Sequence, residues 1–533
     1  MLTKFIVSFI IILIYHLIKT KRSFQMLQQN WYNDGNRYLK WIWKNKDKVF
    51  INWDIIALPI IFTLYLIDAD NIWTIVCVIA LYTILSLRLI NKNKKTVTKL
   101  KLNVTARVKR LYVTNIIIYT IPIIIFTIIF NENDICLYYL IYSIIIYLNY
   151  FMTYLTNLIN KPIEKLNAYK FKRRAMKKLE NMPSLEVVGI TGSYGKTSSK
   201  NILNDILSIK YNSLPTPKNF NTPVGLIITI NNHLDKFHDI LIAEMGAFKR
   251  GEIKELCDLV KPKYGILTKI GVAHLESFGS QENIQKGKFE LIESLPSDGV
   301  GILNGDDKLQ LSYKLKNNVK TIWIGIENKN VDVYADNIKL NIEGTTFECH
   351  FKGDKNKYLF ETKLLGKANI YNILAGIALG KHLGLSIEQL QMGVRKVRPV
   401  EHRLELKKMG IISIIDDAYN ANPDGTKMAL DVLAKMPGKK IAISSGMIEL
   451  GDKSYELNKE LGNYMSKKTD IAILLGKEQT KPIYEGLLEN KFKKENIYIF
   501  DNVNEAFKKV NEIGNQDTCV LVQSDLPDIF DEK

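Results

Sequence analysis

The chain has 533 residues, 47% of them hydrophobic, and carries 73 Lys and Arg against 55 Asp and Glu for a formal net charge of +18. Such a length predicts several domains, and that apolar content is ample for packed cores. The five cysteines, Cys77, Cys136, Cys257, Cys349 and Cys519, lack the paired spacing of a zinc site, and no low-complexity segment or internal repeat interrupts the chain.

Five apolar runs come first: Phe5–Ile18, Ile55–Ile67, Ile72–Ile90, Val113–Phe130 and Ile135–Ile159. The last three are long enough to cross a bilayer, and the first two reach that length with their flanks. No small-residue cleavage site follows the first run, so it is not read as a signal peptide. Basic connections (19–48, 88–110 and 161–178) alternate with short acidic ones carrying Asp68 and Asp70, then Glu132 and Asp134. The positive-inside rule then predicts a five-span helical region over residues 1–160, with the N-terminus outside. The chain would be a multi-pass protein of the cytoplasmic membrane, with its remaining domains in the cytoplasm. The three basic connections more than account for the net charge. Assigning them to anionic lipid headgroups makes the lipid bilayer a partner and leaves no case for nucleic acid.

From about Leu185 short β-branched runs alternate with helical stretches, which predicts α/β layers around mostly parallel sheets. Candidate strands are Leu185–Ile190, Ile240–Ala243, Gly265–Lys269, Ile411–Ile415, Lys440–Ser444 and Ile471–Leu475. Helical periodicity runs through Ala368–Leu383, Gly425–Lys435 and Tyr455–Lys467. A break near Arg398-Pro399 divides a central domain, residues 161–399, from a smaller terminal one, residues 400–533.

The segment Val188-Gly-Ile-Thr-Gly-Ser-Tyr-Gly-Lys-Thr-Ser198 reads as a buried strand, a glycine-rich loop and a helix start. Gly192 and Gly195 free successive backbone N–H groups to face a triphosphate, Lys196 reaches its outer phosphates, and the Thr197 hydroxyl is a ligand for Mg²⁺. Ile190 stands where the strict phosphate-loop pattern has its first glycine, so taken alone the segment also fits a plain strand-turn-helix. Downstream, Glu244 ends a strand where a carboxylate completes a Mg²⁺ shell, and His274 follows another strand. Lys288 lies on a helix and Asp417 follows a strand of the terminal domain. Each of these residues by itself also fits a solvated or capping role.

Taken together, the motifs Thr191-Gly-Ser-Tyr-Gly-Lys-Thr197, Asn219-Phe-Asn-Thr-Pro-Val-Gly225, Glu244-Met-Gly-Ala247, His274-Leu-Glu-Ser-Phe-Gly-Ser280, Asn369-Ile-Tyr-Asn372, His402-Arg403, Asp416-Asp-Ala-Tyr-Asn-Ala-Asn-Pro423 and Met447-Ile-Glu-Leu-Gly451 resemble the ATP-dependent muramyl ligases of peptidoglycan synthesis. The likeness is strongest to the branch that adds D-alanyl-D-alanine, and it runs from about residue 185 to 520. It implies a central phosphate-loop ATPase domain, a smaller terminal α/β domain of dinucleotide-fold-like (Rossmann-like) character and a reaction in the cleft between them, with ATP and two Mg²⁺ ions as cofactors. Gly192, Ser193, Tyr194, Gly195, Lys196, Thr197 and Ser198 would cradle the phosphates, and Asn369, Asn372, Arg403 and Asp417 would contact the nucleotide. Thr197 and Glu244 would hold one Mg²⁺, while His274 and a carbamylated Lys288 hold the second. Lys196, Lys288, His274 and Glu244 would carry catalysis. The implied partners are a peptidoglycan precursor, a D-amino-acid dipeptide or other amine, and wall-synthesis proteins in the membrane.

Three places depart from the family pattern. Ala368 replaces a common histidine, Ile443-Ser-Ser-Gly-Met447 lacks the usual glycine-aspartate, and Val522-Gln-Ser-Asp-Leu-Pro-Asp528 lacks a lysine-glycine-serine run. These leave the incoming amine open. The apolar front replaces the family's soluble uridine-diphosphate-gripping domain, so a lipid-linked acceptor and simple tethering both stand, and a ligase of another poly-amino-acid product, such as a polyglutamate or a modified wall peptide, is a further reading. A membrane transport ATPase is the reading from another class. It calls for an acidic residue ending a Walker-B-like strand, an ABC-type transporter signature and a string of ionisable residues within the spans, and the sequence holds neither of the last two.

Overall fold

Strands that are buried on both faces of a parallel sheet read as near-continuous apolar runs, and Ile240–Glu244 is such a strand, with every residue buried. A computed structural model describes residues 2–67, 72–95, 101–129, 135–271, 275–341, 344–399, 402–418, 423–448 and 450–523. It divides into two units, Met1–Lys170 and Phe171–Lys533.

The first unit is helical. Its main helices are Leu2–Gln29, Ala57–Leu66, Ile72–Lys95, Ala106–Ile129, Ile135–Tyr147 and the start of Asn149–Glu180. Ile12, Tyr15, Ile61, Tyr82, Tyr119 and Tyr139 belong to one buried cluster. A polar seam runs beside it. His16 bonds Asn115 at 2.6 Å, the Thr20 hydroxyl donates to Asn149 at 3.1 Å, Ser23 bonds Thr153 at 2.7 Å, and the Lys19 ammonium pairs with the Asp54 carboxylate. Burial of these groups is tolerable because each finds a partner.

The five-span, multi-pass membrane placement is corrected by these helices. Among the described residues, Ile72–Asn93 alone is a single helix long and apolar enough to cross a bilayer. Ile135–Tyr147 and Asn149–Glu180 meet that requirement only as a pair, bent by 79° at their junction, and Trp53–Leu66 is too short. The outside N-terminus, the lipid bilayer and the membrane-bound wall-synthesis partners lose their support with it. The physical reason is that a run of apolar letters does not reveal how a helix is used. Leu2–Gln29 turns His16, Lys19, Thr20 and Ser23 inward, all at most 8% exposed, and the last apolar run is broken by a bend.

The second unit holds two sheets. The central one comprises β1 (Glu186–Thr191), β2 (Ser213–Pro215), β3 (Ile240–Glu244), β4 (Tyr264–Leu267), β5 (Val300–Asn304), β6 (Lys320–Gly325), β7 (Val333–Asn341), β8 (Gly344–Phe351) and β9 (Lys357–Thr362). Its order is β2-β3-β1-β4-β5-β6-β7-β8-β9. The pairings are parallel up to β7, and β7, β8 and β9 extend the sheet as antiparallel ribbons. The terminal sheet comprises β10 (Glu405–Met409), β11 (Ile412–Asp417), β12 (Lys439–Ser444), β13 (Ile471–Leu475), β14 (Ile497–Phe500) and β15 (Thr518–Gln523), ordered β10-β11-β15-β12-β13-β14. Only β10 pairs antiparallel there. The named strands and helices of the sequence reading fall on observed elements within a residue or two.

Side chains alternate across the central sheet. Val188, Ile190 and Ile242 pack on the helices Lys196–Leu207 and Lys367–His382, whereas Val187, Leu241 and Ala243 pack on Leu226, Leu256 and Phe289. Ile242 is fully buried, so truncating it to Ala costs about 2–5 kcal/mol. Local signals set the helices around the site. Thr222 caps Pro223–Asn232 by accepting from the Gly225 N–H, and Ser280 caps Gln281–Glu293 by accepting from the Asn283 N–H.

Candidate active site

At the C-terminal end of β1 the chain leaves the sheet through Gly192–Gly195 and enters the helix Lys196–Leu207. Gly192 has φ +152° and Gly195, which caps the helix, has φ +81°, both readily adopted only by glycine. A Cβ on Gly192 would lie 1.9 Å from Thr268 Oγ1. The loop is fastened to the end of β4. Thr268 Oγ1 donates to the Tyr194 carbonyl at 2.6 Å and lies 3.1 Å from the Thr191 carbonyl, the Ser193 N–H donates to the Lys269 carbonyl at 2.9 Å, and the Ser193 hydroxyl donates to the Gly271 carbonyl at 3.2 Å.

The Lys196 ammonium folds back over this loop, donating to the Gly192 and Ser193 carbonyls at 2.9 and 3.3 Å. Burial lowers its pKa from the ordinary lysine value, against the pull of Glu244. A half-buried cation at the mouth of a helix N-terminus attracts a polyanion, since the charge and the helix dipole act in the same direction.

Glu244 ends β3, next to β1, and is 1% exposed. Its Oε1 accepts from the Thr197 hydroxyl at 3.2 Å and from the Asn221 amide at 3.1 Å. Its Oε2 faces the Lys200 ammonium, 3.1 Å away, as an ion pair. A buried carboxylate beside a threonine hydroxyl is a hard oxygen donor set, and it fits Mg²⁺.

Lys288 is 2% exposed, on the helix Gln281–Glu293, with its ammonium 3.4 Å from the Ala247 carbonyl. Burial first, and the Lys196 charge second, bring its pKa down to about 7. His274, expected beside it, lies outside the described residues, as do Tyr419, Asn420, Ala421 and Asn422 of the motif after β11.

A cleft of about 690 Å³ opens between the two sheets' domains. It brings together Tyr194, Gly195, Ser198, Asn369, Asn372, Arg403 and Asp417, residues drawn from both sides of the break near residue 400. The Asn372 amide lies against Gly195, 3.4 Å from where a Cβ would stand, and the Asn369 amide donates to the Leu365 carbonyl at 2.9 Å. Asp417 accepts from the Leu404 N–H at 3.1 Å, and burial raises its pKa to about 7. His402 and Leu404 flank Arg403 with positive φ of 61° and 47°, so the connection between domains is held in a costly backbone conformation. Lys269 reaches Asp424 across the cleft at 2.9 Å, but both are about half exposed, and such a pair contributes little.

Sequence reasoning assigned no role to Asn221 or Lys200. Asn221 lies within a quoted motif, yet its contact with Glu244 depends on strand pairing. Lys200 had a signal available, because four residues after Lys196 on one helix puts both ammoniums on the same side.

A phosphate loop on a parallel sheet, a strand-end carboxylate beside its threonine and a cleft shared with a second α/β sheet are the parts of an ATP-using α/β enzyme. The Mur ligase middle domain matches residues 190–380, and the Mur ligase glutamate ligase domain matches residues 402–525. The chain belongs to the Mur ligase family, whose members are ATP-dependent ligases. Within it, the UDP-N-acetylmuramoyl-tripeptide–D-alanyl-D-alanine ligase of Bacillus subtilis (strain 168) is 33% identical over 343 residues, covering 63% of this chain and 72% of that protein. Crystal structures of MurF from Acinetobacter baumannii and of MurF from Thermotoga maritima in complex with ADP superpose with TM-scores of 0.61 and 0.60. Their identities are 25% and 27%; each covers 67% of this chain, and the shares of those chains covered are 77% and 80%.

Proposed function

We propose that this protein is an ATP-dependent amide-bond ligase that adds D-alanyl-D-alanine to a muramyl tripeptide of the peptidoglycan precursor. The observation that carries the reading is the meeting of the phosphate loop, Thr197 and Glu244 at the edge of a cleft shared with the terminal domain, on a chain whose relatives are ligases of that name. In this reading residues 161–399 form the nucleotide-binding domain and residues 400–533 the domain that closes on it.

In such a reaction the γ-phosphoryl group of ATP passes to the tripeptide's terminal carboxylate. The dipeptide amine then attacks the acyl carbon, loses a proton, and phosphate leaves. Negative charge gathers at each stage, so fixed positive charge is the main catalytic resource. Lys196 supplies it at the outer phosphates, and the N–H groups of Gly195–Thr197 at the helix start orient the chain of phosphates. Asn369, Asn372, Arg403 and Asp417 hold the nucleotide from both domains, which ties closure to binding and excludes water from the acyl phosphate. Thr197 and Glu244 would hold one Mg²⁺, and His274 with a carbamylated Lys288 a second; such ions neutralise phosphate charge when bound. Carbamylation suits Lys288, because a buried amine with a pKa near 7 is neutral often enough to attack CO₂, and the product turns a cation into an oxygen donor.

The test is product mass after incubating the full chain with ATP, Mg²⁺, D-alanyl-D-alanine and UDP-muramyl tripeptide. The expected result is the tripeptide extended by one dipeptide with release of one phosphate. Phosphate release without extension, or extension by a different amine only, would overturn the substrate assignment.

A further inference from the structure

Lys200 is a fully buried cation that the proposed reaction does not use. It sits one helical turn after Lys196 on Lys196–Leu207, 1% exposed. Its ammonium lies 3.1 Å from Glu244 Oε2 and donates to the Lys218 carbonyl. The carboxylate oxygen it faces is the one that neither Thr197 nor Asn221 bonds. Oε1, by contrast, is held by Thr197 and Asn221. Lys218 has φ +48°, so the carbonyl that anchors the ammonium belongs to a residue in a left-handed conformation, in the loop leading to Asn221.

We propose that Lys200 is a positioning residue that serves as the resident counter-ion of Glu244, standing in for the metal and yielding Oε2 when the metal arrives. The inference rests on the reading of Glu244 as a metal ligand. A carboxylate buried without a directly paired cation is destabilising, and in the nucleotide-free protein Lys200 is the cation in ion-pair contact with Glu244. One oxygen is fixed by Thr197 and Asn221, and the other is kept for exchange between two cations. Because the same ammonium also holds the Lys218 carbonyl, its release from Glu244 leaves it anchored to the loop instead of free in the site. Metal entry is thereby coupled to the segment that carries Asn221. Two cations cannot share Oε2 at close range, so Lys200 weakens metal binding in the absence of nucleotide phosphates, whose own charge offsets the competition.

The test uses the full-length protein without nucleotide, with Mn²⁺ as the probe for binding by electron paramagnetic resonance and Mg²⁺ for thermal melts. Lys200→Met should tighten Mn²⁺ about tenfold. It should also melt below the wild type without metal and recover most of that loss at saturating Mg²⁺. Lys200→Gln, which keeps a donor for the Lys218 carbonyl but no charge, reads the same two quantities should the methionine variant not fold. Adding Glu244→Gln to either variant should abolish both gains. Mn²⁺ affinity that is unchanged or weaker in the Lys200 variants, with an equal melting loss with and without metal, overturns the proposal and leaves Lys200 a structural ion pair. If Glu244→Gln alone leaves Mn²⁺ binding intact, the metal reading of Glu244 fails as well, which separates the two failures.

Discussion

The Thr197 hydroxyl donates to Glu244 Oε1 at 3.2 Å, although 46 residues separate them in the chain. The contact follows from strand register. Ile190 of β1 pairs with Glu244 of β3 in a parallel ladder, so the loop after β1 must fold over the end of β3. Adjacent parallel strands thus deliver a hydroxyl and a carboxylate to one point, at the carboxyl edge of the sheet where α/β proteins bind ligands.

Lys196→Ala removes the cation that caps the phosphate loop. Its contacts in the free protein are two loop carbonyls, which water can satisfy, so the fold should persist. Dipeptide addition should fall about 10²- to 10³-fold, by analogy with the loss of a group that stabilises developing charge. Phosphate release measured beside a thermal melt checks both halves.

Gly192→Ala tests the loop's geometry. The added Cβ would collide with Thr268 Oγ1 at 1.9 Å and approach the Lys269 carbonyl at 3.2 Å, at a φ that L-residues rarely adopt. A loss of about 1–3 kcal/mol is expected, together with weakened ATP binding. Unchanged nucleotide affinity by calorimetry would show that the loop does not hold the phosphates.

Lys288 should be labelled by ¹³C-bicarbonate, giving a carbamate carbon signal that Lys288→Arg lacks. Only the neutral amine reacts with CO₂. With a pKa of about 7, the signal should be strong at pH 8 and fade as the pH drops through 7. No such signal in the wild-type protein at pH 8 would remove the carbamate from the mechanism.

Asp417 has a folded-state pKa of about 7 against an ordinary value of 3.8. The native state therefore binds this proton more tightly than the unfolded state does, and stability falls as the pH rises from about 4 through 7. Asp417→Asn keeps an acceptor for the Leu404 N–H but cannot ionise. Its melting temperature relative to the wild type should rise by roughly 2–4 °C per kcal/mol of relief between pH 5 and pH 8. A constant difference across that range would exclude the titration of Asp417 as its cause.

How much of this was legible beforehand depends on whether the signal is local. The buried strand before Gly192, the turn that needs glycine and the helix starting at Lys196 were readable because each obeys rules acting over a few residues. The same holds for Ile240–Glu244 and for Ile471–Leu475, which are continuous apolar runs. The antiparallel ribbons β7–β9 were not named, since alternating strands such as Gly344–Phe351 carry a weaker pattern and their pairing is set by partners elsewhere.

The sequence by itself determined the family, the parallel-rich α/β architecture and the residues of the phosphate loop, because short-range periodicity and fixed spacing are written in neighbouring letters. Only the tertiary structure decided that Lys200 faces Glu244 and that Asn221 shares that carboxylate with Thr197. It also decided that the apolar front is not five spans, by turning Lys19 toward Asp54 and by bending the last run. The physical reason is common to these cases. Burial, pairing and charge compensation are properties of groups distant in the chain, and no window along the sequence contains both members of such a pair.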